Sequence, residues 1–409
     1  MARVVVIGAG QAGLATSFCL TKAGVEHVVL ERSRIASAWR ERWNSFCLVS
    51  PNWSVQLPGG AYDGDDPDGF MRRDQLVAYF ERYASGFAAP VREGVRVRSL
   101  LPLPGGGFRL NTADGALTAT EVVVATGAYQ RPFRPAAAQA IPRDVVQLDV
   151  GDYRAPDQLS AGTVLVVGSG QSGCQIAEEL CDAGRDVFLA CGRANWAPRC
   201  IEDRDLFWWL REVGDLDDTL DTLPDKDARR TANIQATGRD GGHDLHYRTL
   251  QALGVTLLGH LTDVDGHRAR FADDLAATVA WGDHHHTAFM NRIHTTAHRL
   301  GLPPPDLPPP ATFSSRARTT LDLRHVAAVI FAGGFRPDYR SWIHAPGAFD
   351  AHGFPLHLDG TSTIIPGLHF VGVHFLRKRR SALLIGVGDD AAIVATHITT
   401  TTRRPATTV

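Results

Sequence analysis

One dinucleotide-binding fingerprint occurs twice in this chain, and nothing else in the sequence restricts the fold so strongly. The first copy reads Val4-Val5-Val6-Ile7-Gly8-Ala9-Gly10-Gln11-Ala12-Gly13. The second reads Val164-Leu165-Val166-Val167-Gly168-Ser169-Gly170-Gln171-Ser172-Gly173. In each, an apolar run feeds Gly-x-Gly-x-x-Gly and a helix-like stretch. Ala23-Gly24 and Ala183-Gly184 then lead to a second apolar run. A strand, tight turn and helix in that order aim backbone N–H groups and a positive helix end at a pyrophosphate. An isolated Gly-x-Gly-x-x-Gly says little, but two in full βαβ context predict two bound nucleotides. The expected fold is α/β with two Rossmann-like domains, the second inserted in the first.

The second strand of each unit separates the copies. Val28-Val29-Leu30 ends in Glu31, followed by Arg32. A carboxylate there accepts hydrogen bonds from the ribose hydroxyls and repels a 2′-phosphate. Val187-Phe188-Leu189-Ala190 leads instead to Cys191, with Arg193 and Arg199 beyond it. A missing acid and nearby guanidinium groups suit the 2′-phosphate of NADP. The first site is therefore assigned FAD and the second NADPH. The competing reading makes Arg193 an ordinary solvated arginine.

For 409 residues the formal charge is −2, which gives no global attraction to nucleic acid or to an acidic membrane. No apolar run approaches the roughly 20 residues of a membrane span. The first fingerprint starts so early that no room is left for a signal peptide, and a cytoplasmic location is expected. None of the six cysteines forms Cys-x-x-Cys, which counts against two-nucleotide enzymes that work through an active disulfide. Cys19, Cys174 and Cys181 are expected as buried free thiols.

The FAD domain is expected to span 1–154 and 335–409, and the NADPH domain 155–334. An insertion over about 195–315 reads as helices and loops. Leu76, Tyr79, Phe80 and Tyr83 predict a helix over Arg72–Tyr83. Val95–Thr118 reads as two hairpin strands around Gly105-Gly106-Gly107. Glu121–Gly127 reads as a strand ending on Ala125, Thr126 and Gly127, small enough for a cofactor to approach. Its counterpart in the second unit is Val329–Pro337, which contains Gly333-Gly334.

His284-His285-His286, His294 and His298 fit a solvated helix better than a zinc site, because no carboxylate completes a ligand set. The acidic turn Tyr62–Gly69 lacks the spacing of a calcium loop, so no metal is expected. Phe207-Trp208-Trp209 either walls an apolar pocket or belongs to a core. Pro303–Pro305 and Pro308–Pro310 form a stiff link, and the Thr-rich tail Thr399–Val409 is expected to fray.

These residues resemble the class B flavoprotein monooxygenases, which include flavin-containing monooxygenases, Baeyer–Villiger enzymes, amine N-hydroxylases and plant indole-3-pyruvate monooxygenases. The chain is most similar to the short bacterial type. The resemblance runs from Val4 to about Val394. Besides the fingerprints, Trp39-Arg40-Glu41-Arg42-Trp43, Pro51-Asn52-Trp53, Ala125-Thr126-Gly127, Gly333–Asp338 and Gly386–Asp390 carry it. It implies that Trp39, Arg42, Val97, Gly334 and Leu384 line cofactor, and that Asn52 sits by the reactive edge of the flavin. A turn after Pro51 is the alternative for Asn52. One departure stands out. Where the family places a histidine in the motif before the second fingerprint, this chain has Asp149; only Tyr153 of that motif remains.

The resemblance implies that NADPH reduces FAD and that O₂ then forms a flavin C4a-hydroperoxide. One oxygen atom passes to nitrogen or sulfur of a small substrate, or oxidises a ketone or keto acid. Alternatives are an NADPH-dependent flavin reductase without oxygen insertion, or a nucleotide-binding regulator. The expected partners are a small-molecule substrate and O₂, with no nucleic acid and no membrane. The sequence leaves a homodimer open.

Overall fold

The computed structural model describes residues 2–127, 129–231, 233–314 and 318–403. Two parallel-centred sheets organise the chain. In the larger, the Ala2–Ile7 strand lies between His27–Leu30 and Gly115–Val124, with Val5 opposite both Val28 and Val122. Val91–Arg92 extends one side, and Leu368–Phe370, from the far end of the chain, extends the other. The smaller sheet runs Gln147–Asp149, Val326–Phe331, Thr163–Val167, Val187–Ala190 and Thr256–Leu258, all parallel.

Both fingerprint strands are continuous Val, Leu and Ile runs because both faces are covered, as parallel sheets require. Val4, Val5, Val6, Val164, Leu165 and Val166 have no solvent exposure. Helices Gln11–Lys22 and Gln171–Asp182 follow the glycine turns. The fold is α/β with two dinucleotide-binding units. Two crossings between the sheets, Arg131–Pro132 and Phe335–Arg336, pair with each other antiparallel.

Several boundaries differ from the sequence reading. The helix at Leu76 spans Arg73–Gly86. The region 95–118 forms two strands, Val97–Pro102 and Phe108–Thr112, plus the start of a third, Gly115–Val124. Strand pairing ends at Val124 and at Phe331, leaving Ala125–Gly127 and Ala332–Gly334 as the small-residue turns beyond each strand.

The insertion is more than helices and loops. Thr256–Leu258 joins the smaller sheet, and Leu261–Asp265 pairs with Arg268–Phe271. Thr256–Leu258 is too short to show a period of two, and Arg268–Phe271 alternates over only four residues. The helix Leu275–Arg299 turns Leu275, Val279, Gly282, His286, Phe289 and Ile293 inward, a stripe at helical spacing. Residue 315, where the insertion was expected to end, lies outside the described residues.

The last helix, Val387–Arg403, carries through Thr399 rather than fraying there. The tail from 404 lies outside the described residues. Cys174 is buried, but Cys19 and Cys181 are only half-buried. Among the described residues, no helix is long and apolar enough to cross a membrane, and no group of three or more His, Cys, Asp or Glu is placed to hold a metal.

Candidate active site

The first glycine turn shows a separate job for each glycine. Gly8 has φ +105°, and a Cβ there would lie 2.6 Å from the Ala125 carbonyl oxygen. A Cβ on Gly13 would run into the Gly8 carbonyl, so the helix rests directly on the turn. A Cβ on Gly10 would meet nothing within 4 Å. Gly10 also begins the helix with no side-chain cap and no acid in the first turn. Its leading N–H groups are thus free to bind an anion. Ala12 is buried, against Gly372 from the loop after the last strand. This geometry fits a pyrophosphate.

Glu31 lies under the same turn, 4% exposed. Its carboxylate accepts hydrogen bonds from Ala9 N–H (2.8 Å), Ser33 N–H (3.0 Å) and Ser37 Oγ–H (3.0 Å). Val95 N–H reaches the Glu31 carbonyl, two residues before half-buried Val97. Arg32 pairs with Glu41 at 3.2 Å.

A second group meets at the helix start. Trp39 Nε1–H donates to Gln11 Oε1 at 3.0 Å, and Gln11 Nε2–H donates to the Ala382 carbonyl at 3.3 Å. The Leu384 carbonyl accepts from Gln56 N–H at 3.2 Å. Trp39 and Leu384 are therefore tied to one locality, 345 positions apart in the chain.

Beyond the Ala125–Gly127 turn, Tyr129 is 50% exposed yet lies beside Arg42, Phe335 and His374, so it lines a cleft. Arg42 lies 5.5 Å above the Tyr129 ring, with its buried Nε lacking a hydrogen-bond acceptor. Burial lowers the basicity of this guanidinium, opposed by Tyr129 and Glu41. Burial also lowers His374 to about 4, so its imidazole is neutral at pH 7. Gln130 clamps the turn: its Nε2–H groups reach Thr126 Oγ1 (3.1 Å) and the Gly127 carbonyl (2.9 Å). Its Oε1 accepts from Asp338 N–H at 2.6 Å. Gly334 has φ +84° in the partner crossing.

Asn52 is 3% exposed. Its Nδ2–H donates to the Asp66 carbonyl at 2.9 Å, and its Oδ1 accepts from Met71 N–H at 2.7 Å. It thereby pins the acidic turn. Next to it, Trp53 meets Phe207 at 6.1 Å, with Arg211 over the indole at 4.9 Å. The aromatic run therefore splits: Phe207 faces Trp53, while Trp209 is 1% exposed and belongs to a core.

The second glycine turn repeats the first. Gly168 has φ +108°, a Cβ on Gly173 would strike the Gly168 carbonyl, and the helix after Gly170 is uncapped. Gln171 Nε2–H donates to the Ile234 carbonyl at 2.9 Å, and Ser172 is half-buried beside it. Ser169 Oγ accepts from Gly192 N–H at 2.8 Å and shares a 2.6 Å hydrogen bond with Tyr247 Oη, which donates to the Gly192 carbonyl. Cys191 is fully buried. Arg193 is exposed, 5.9 Å from the Trp281 ring centre, with no ion pair among the described residues. Arg199 does not serve this site. It is buried, paired with Asp205 at 2.7 Å and bound to the Val49 carbonyl.

Asp149 is neutralised. Arg134 holds it with two hydrogen bonds, 2.8 and 3.1 Å, and itself lies over Phe331. The carboxylate that replaces the family histidine thus comes with its own cation.

Tyr129, Gln130, Tyr247, Trp281 and His374 were not singled out from sequence. Their partners lie up to 245 positions away, and no local pattern marks them. Only the positions of Tyr129 and Gln130 just after Ala-Thr-Gly offered a signal.

Two uncapped, glycine-rich helix starts, each facing its own βαβ unit, define a flavoprotein oxidoreductase that uses a pyridine nucleotide. A model of the pyridine nucleotide-disulphide oxidoreductase family matches residues 5–213. An uncharacterized CzcO-like oxidoreductase of Geobacillus kaustophilus is 31% identical over 97% of both chains. The indole-3-pyruvate monooxygenase YUCCA1 of Oryza sativa subsp. japonica is 34% identical over 49% of this chain and 56% of its own. A flavin-containing monooxygenase structure from Stenotrophomonas maltophilia shares the fold, with a TM-score of 0.68 and 20% identity over 98% of this chain and 99% of that one. The chain belongs to the pyridine nucleotide-disulphide oxidoreductase family. It is an oxidoreductase with FAD and NAD(P)H as cofactors.

Proposed function

We propose that this chain is an NADPH-dependent monooxygenase that places one atom of O₂ on a small organic substrate. The sites are nitrogen, sulfur, or the carbonyl of a ketone or keto acid. FAD in the first unit supplies hydride acceptance and oxygen activation. We assign the FAD to Gly8, Gly10, Ala12, Gly13, Glu31, Trp39, Arg42 and Ala125–Gly127. The NADPH falls to Gly168–Gly173 and Arg193. The reading places the reaction in the cytoplasm.

The observation that carries it is the position of the Asn52–Trp53 segment. Gln56, three residues on, is bonded to Leu384, next to the first fingerprint helix, while Trp53 packs on Phe207 of the insertion. Asn52 thus stands where material from both units meets. Asp66 and Met71 use one N–H and one lone pair of its carboxamide; a second N–H and a second lone pair remain. A buried amide fixed at both atoms is a preorganised dipole toward an oxygen that is being transferred. Trp53 and Phe207 exclude water from that side. A relative that acts on indole-3-pyruvate puts keto acids among the substrates to test.

The test is oxygen accounting over a panel of amines, sulfides and keto acids. At least one substrate should raise NADPH oxidation and O₂ uptake together, with little H₂O₂. Recovery of all consumed oxygen as H₂O₂ with every substrate would leave a flavin reductase. Asn52→Ala should keep NADPH oxidation and shift the oxygen to H₂O₂. Unchanged coupling in that variant would make Asn52 a turn residue only.

A further inference from the structure

One of the places where the insertion meets the second nucleotide unit is the loop that leaves Val187–Ala190. The helix Leu275–Arg299 grips this loop with four residues from two adjacent turns. A Cβ on Gly282 would lie 3.0 Å from the Ala194 carbonyl oxygen, so helix and loop are in direct contact. Asp283 accepts from Trp196 Nε1–H at 3.1 Å and holds Arg248 through two hydrogen bonds, 2.9 and 2.7 Å. His286 stacks on Trp196, centroids 4.0 Å apart and planes 18° apart. Trp281 stacks on His285 at 3.7 Å, and the Arg193 guanidinium lies over its ring at 5.9 Å. His285 is oriented in turn by a 2.8 Å hydrogen bond between its Nδ1 and the Trp281 carbonyl. Of the cations around this loop, Arg248 and Arg199 are held by Asp283 and Asp205. Arg193 has an aromatic support and, among the described residues, no carboxylate partner.

We propose that the insertion helix is a nucleotide-specificity element in which Trp281 positions Arg193 to receive a 2′-phosphate. This rests on assigning NADPH to the second unit. A cation on an indole face keeps its edge N–H groups available, whereas a carboxylate partner would occupy them. A flexible arginine held in place also loses less freedom when the phosphate arrives. Trp281 is a positioning residue: it acts through Arg193 and makes no contact with the phosphate.

The experiment is calorimetric titration of FAD-loaded protein with 2′,5′-ADP and, in parallel, with 5′-AMP, which lacks the 2′-phosphate. Wild type should prefer 2′,5′-ADP. Trp281→Leu should weaken 2′,5′-ADP about three- to tenfold, the range of a cation–π contact, and leave 5′-AMP unchanged. Trp281→Phe should restore most of the affinity. Arg193→Ala should remove the preference, and adding Trp281→Leu to it should change nothing further. Equal weakening of both ligands by Trp281→Leu, or an additive double variant, would overturn the positioning role. No preference for 2′,5′-ADP in wild type would instead sink the NADPH assignment itself. If Trp281→Leu fails to fold, amide exchange of the wild type decides. On 2′,5′-ADP binding, 192–196 and 280–286 should gain protection together; protection confined to 192–196 would overturn the proposal.

Discussion

The two glycine turns share a backbone and differ in what lies beneath it. Gly8 N–H and Gly168 N–H both donate to the last carbonyl of the neighbouring strand, Leu30 at 2.8 Å and Ala190 at 3.0 Å. Gln11 and Gln171 each brace a distant segment, at Ala382 and Ile234. The difference is the tie across the turn. In the first unit a buried carboxylate, Glu31, holds Ala9, Ser33 and Ser37. In the second a neutral ring of hydroxyls, Ser169 and Tyr247, closes on Gly192. An anion under the turn repels a second phosphate on the ribose, and a neutral ring does not. On the proposed assignment of FAD and NADPH, residues that stabilise each loop also help to sort the nucleotides.

The largest expected effect tests the shared part. Gly13→Ala forces a methyl into the Gly8 carbonyl and should cost about 3 kcal/mol or more, with a clear fall in Tm. Gly10→Ala meets open space, so it should leave Tm nearly unchanged while reducing the FAD retained after gel filtration. Equal Tm losses would break the division of roles between the glycines.

Next in size is the tie itself. Glu31→Ala strands two backbone N–H groups and should cost about 2–4 kcal/mol in urea unfolding, with loss of FAD. Ser169→Ala removes a neutral link and should cost about 1 kcal/mol. A Ser169→Ala variant as unstable as Glu31→Ala would erase the contrast between a charged and a neutral tie.

The nucleotide consequence follows. Arg193→Ala should raise the KM for NADPH about tenfold to a hundredfold, the loss of one charge-assisted contact, and spare NADH. Equal losses with both would make Arg193 part of the loop's structure.

The last effect concerns pH. His246 precedes Tyr247, and its Nδ1 accepts from Arg248 N–H and Thr249 N–H at 3.2 and 3.3 Å. Burial lowers it to about 4, from an ordinary value of 6.5. The neutral form is thus favoured in the fold. The associated stability is complete above pH 6.5 and is lost as pH falls toward 4, by at most about 3 kcal/mol. His246→Asn keeps an acceptor at the helix start and should flatten the stability profile across that window. An unaltered slope would place the acid sensitivity elsewhere.

How much of this was readable follows from distance along the chain. The fingerprints, their helices and the acid at Glu31 were legible because strand, turn and helix are set by neighbouring residues. The strand Thr256–Leu258 was not, since three residues gain their ladder from Phe188–Ala190 and show no period of their own. Asn52 stood out through a family likeness, but its partners Asp66 and Met71 depend on how the acidic turn closes. Asp149 looked like a lost cation until Arg134, fifteen positions earlier, was seen to grip it. Arg199 looked available for phosphate because sequence does not show that Asp205 and Val49 hold it.

The antiparallel pair Arg131–Pro132 and Phe335–Arg336 has an architectural consequence. The chain leaves the large sheet and comes back to it at adjacent rungs, so everything from Phe133 to Gly334 enters and exits by one doorway. Its ends are separated by about 5 Å, the spacing of paired strands. To the host sheet that whole length is, in entropy, a short closed loop. A chain cut at the doorway and rejoined across it would keep every strand of the host in place. Grafting another nucleotide unit there would leave the host strands continuous, but the graft would have to replace contacts such as Arg199 with the Val49 carbonyl and Phe207 with Trp53.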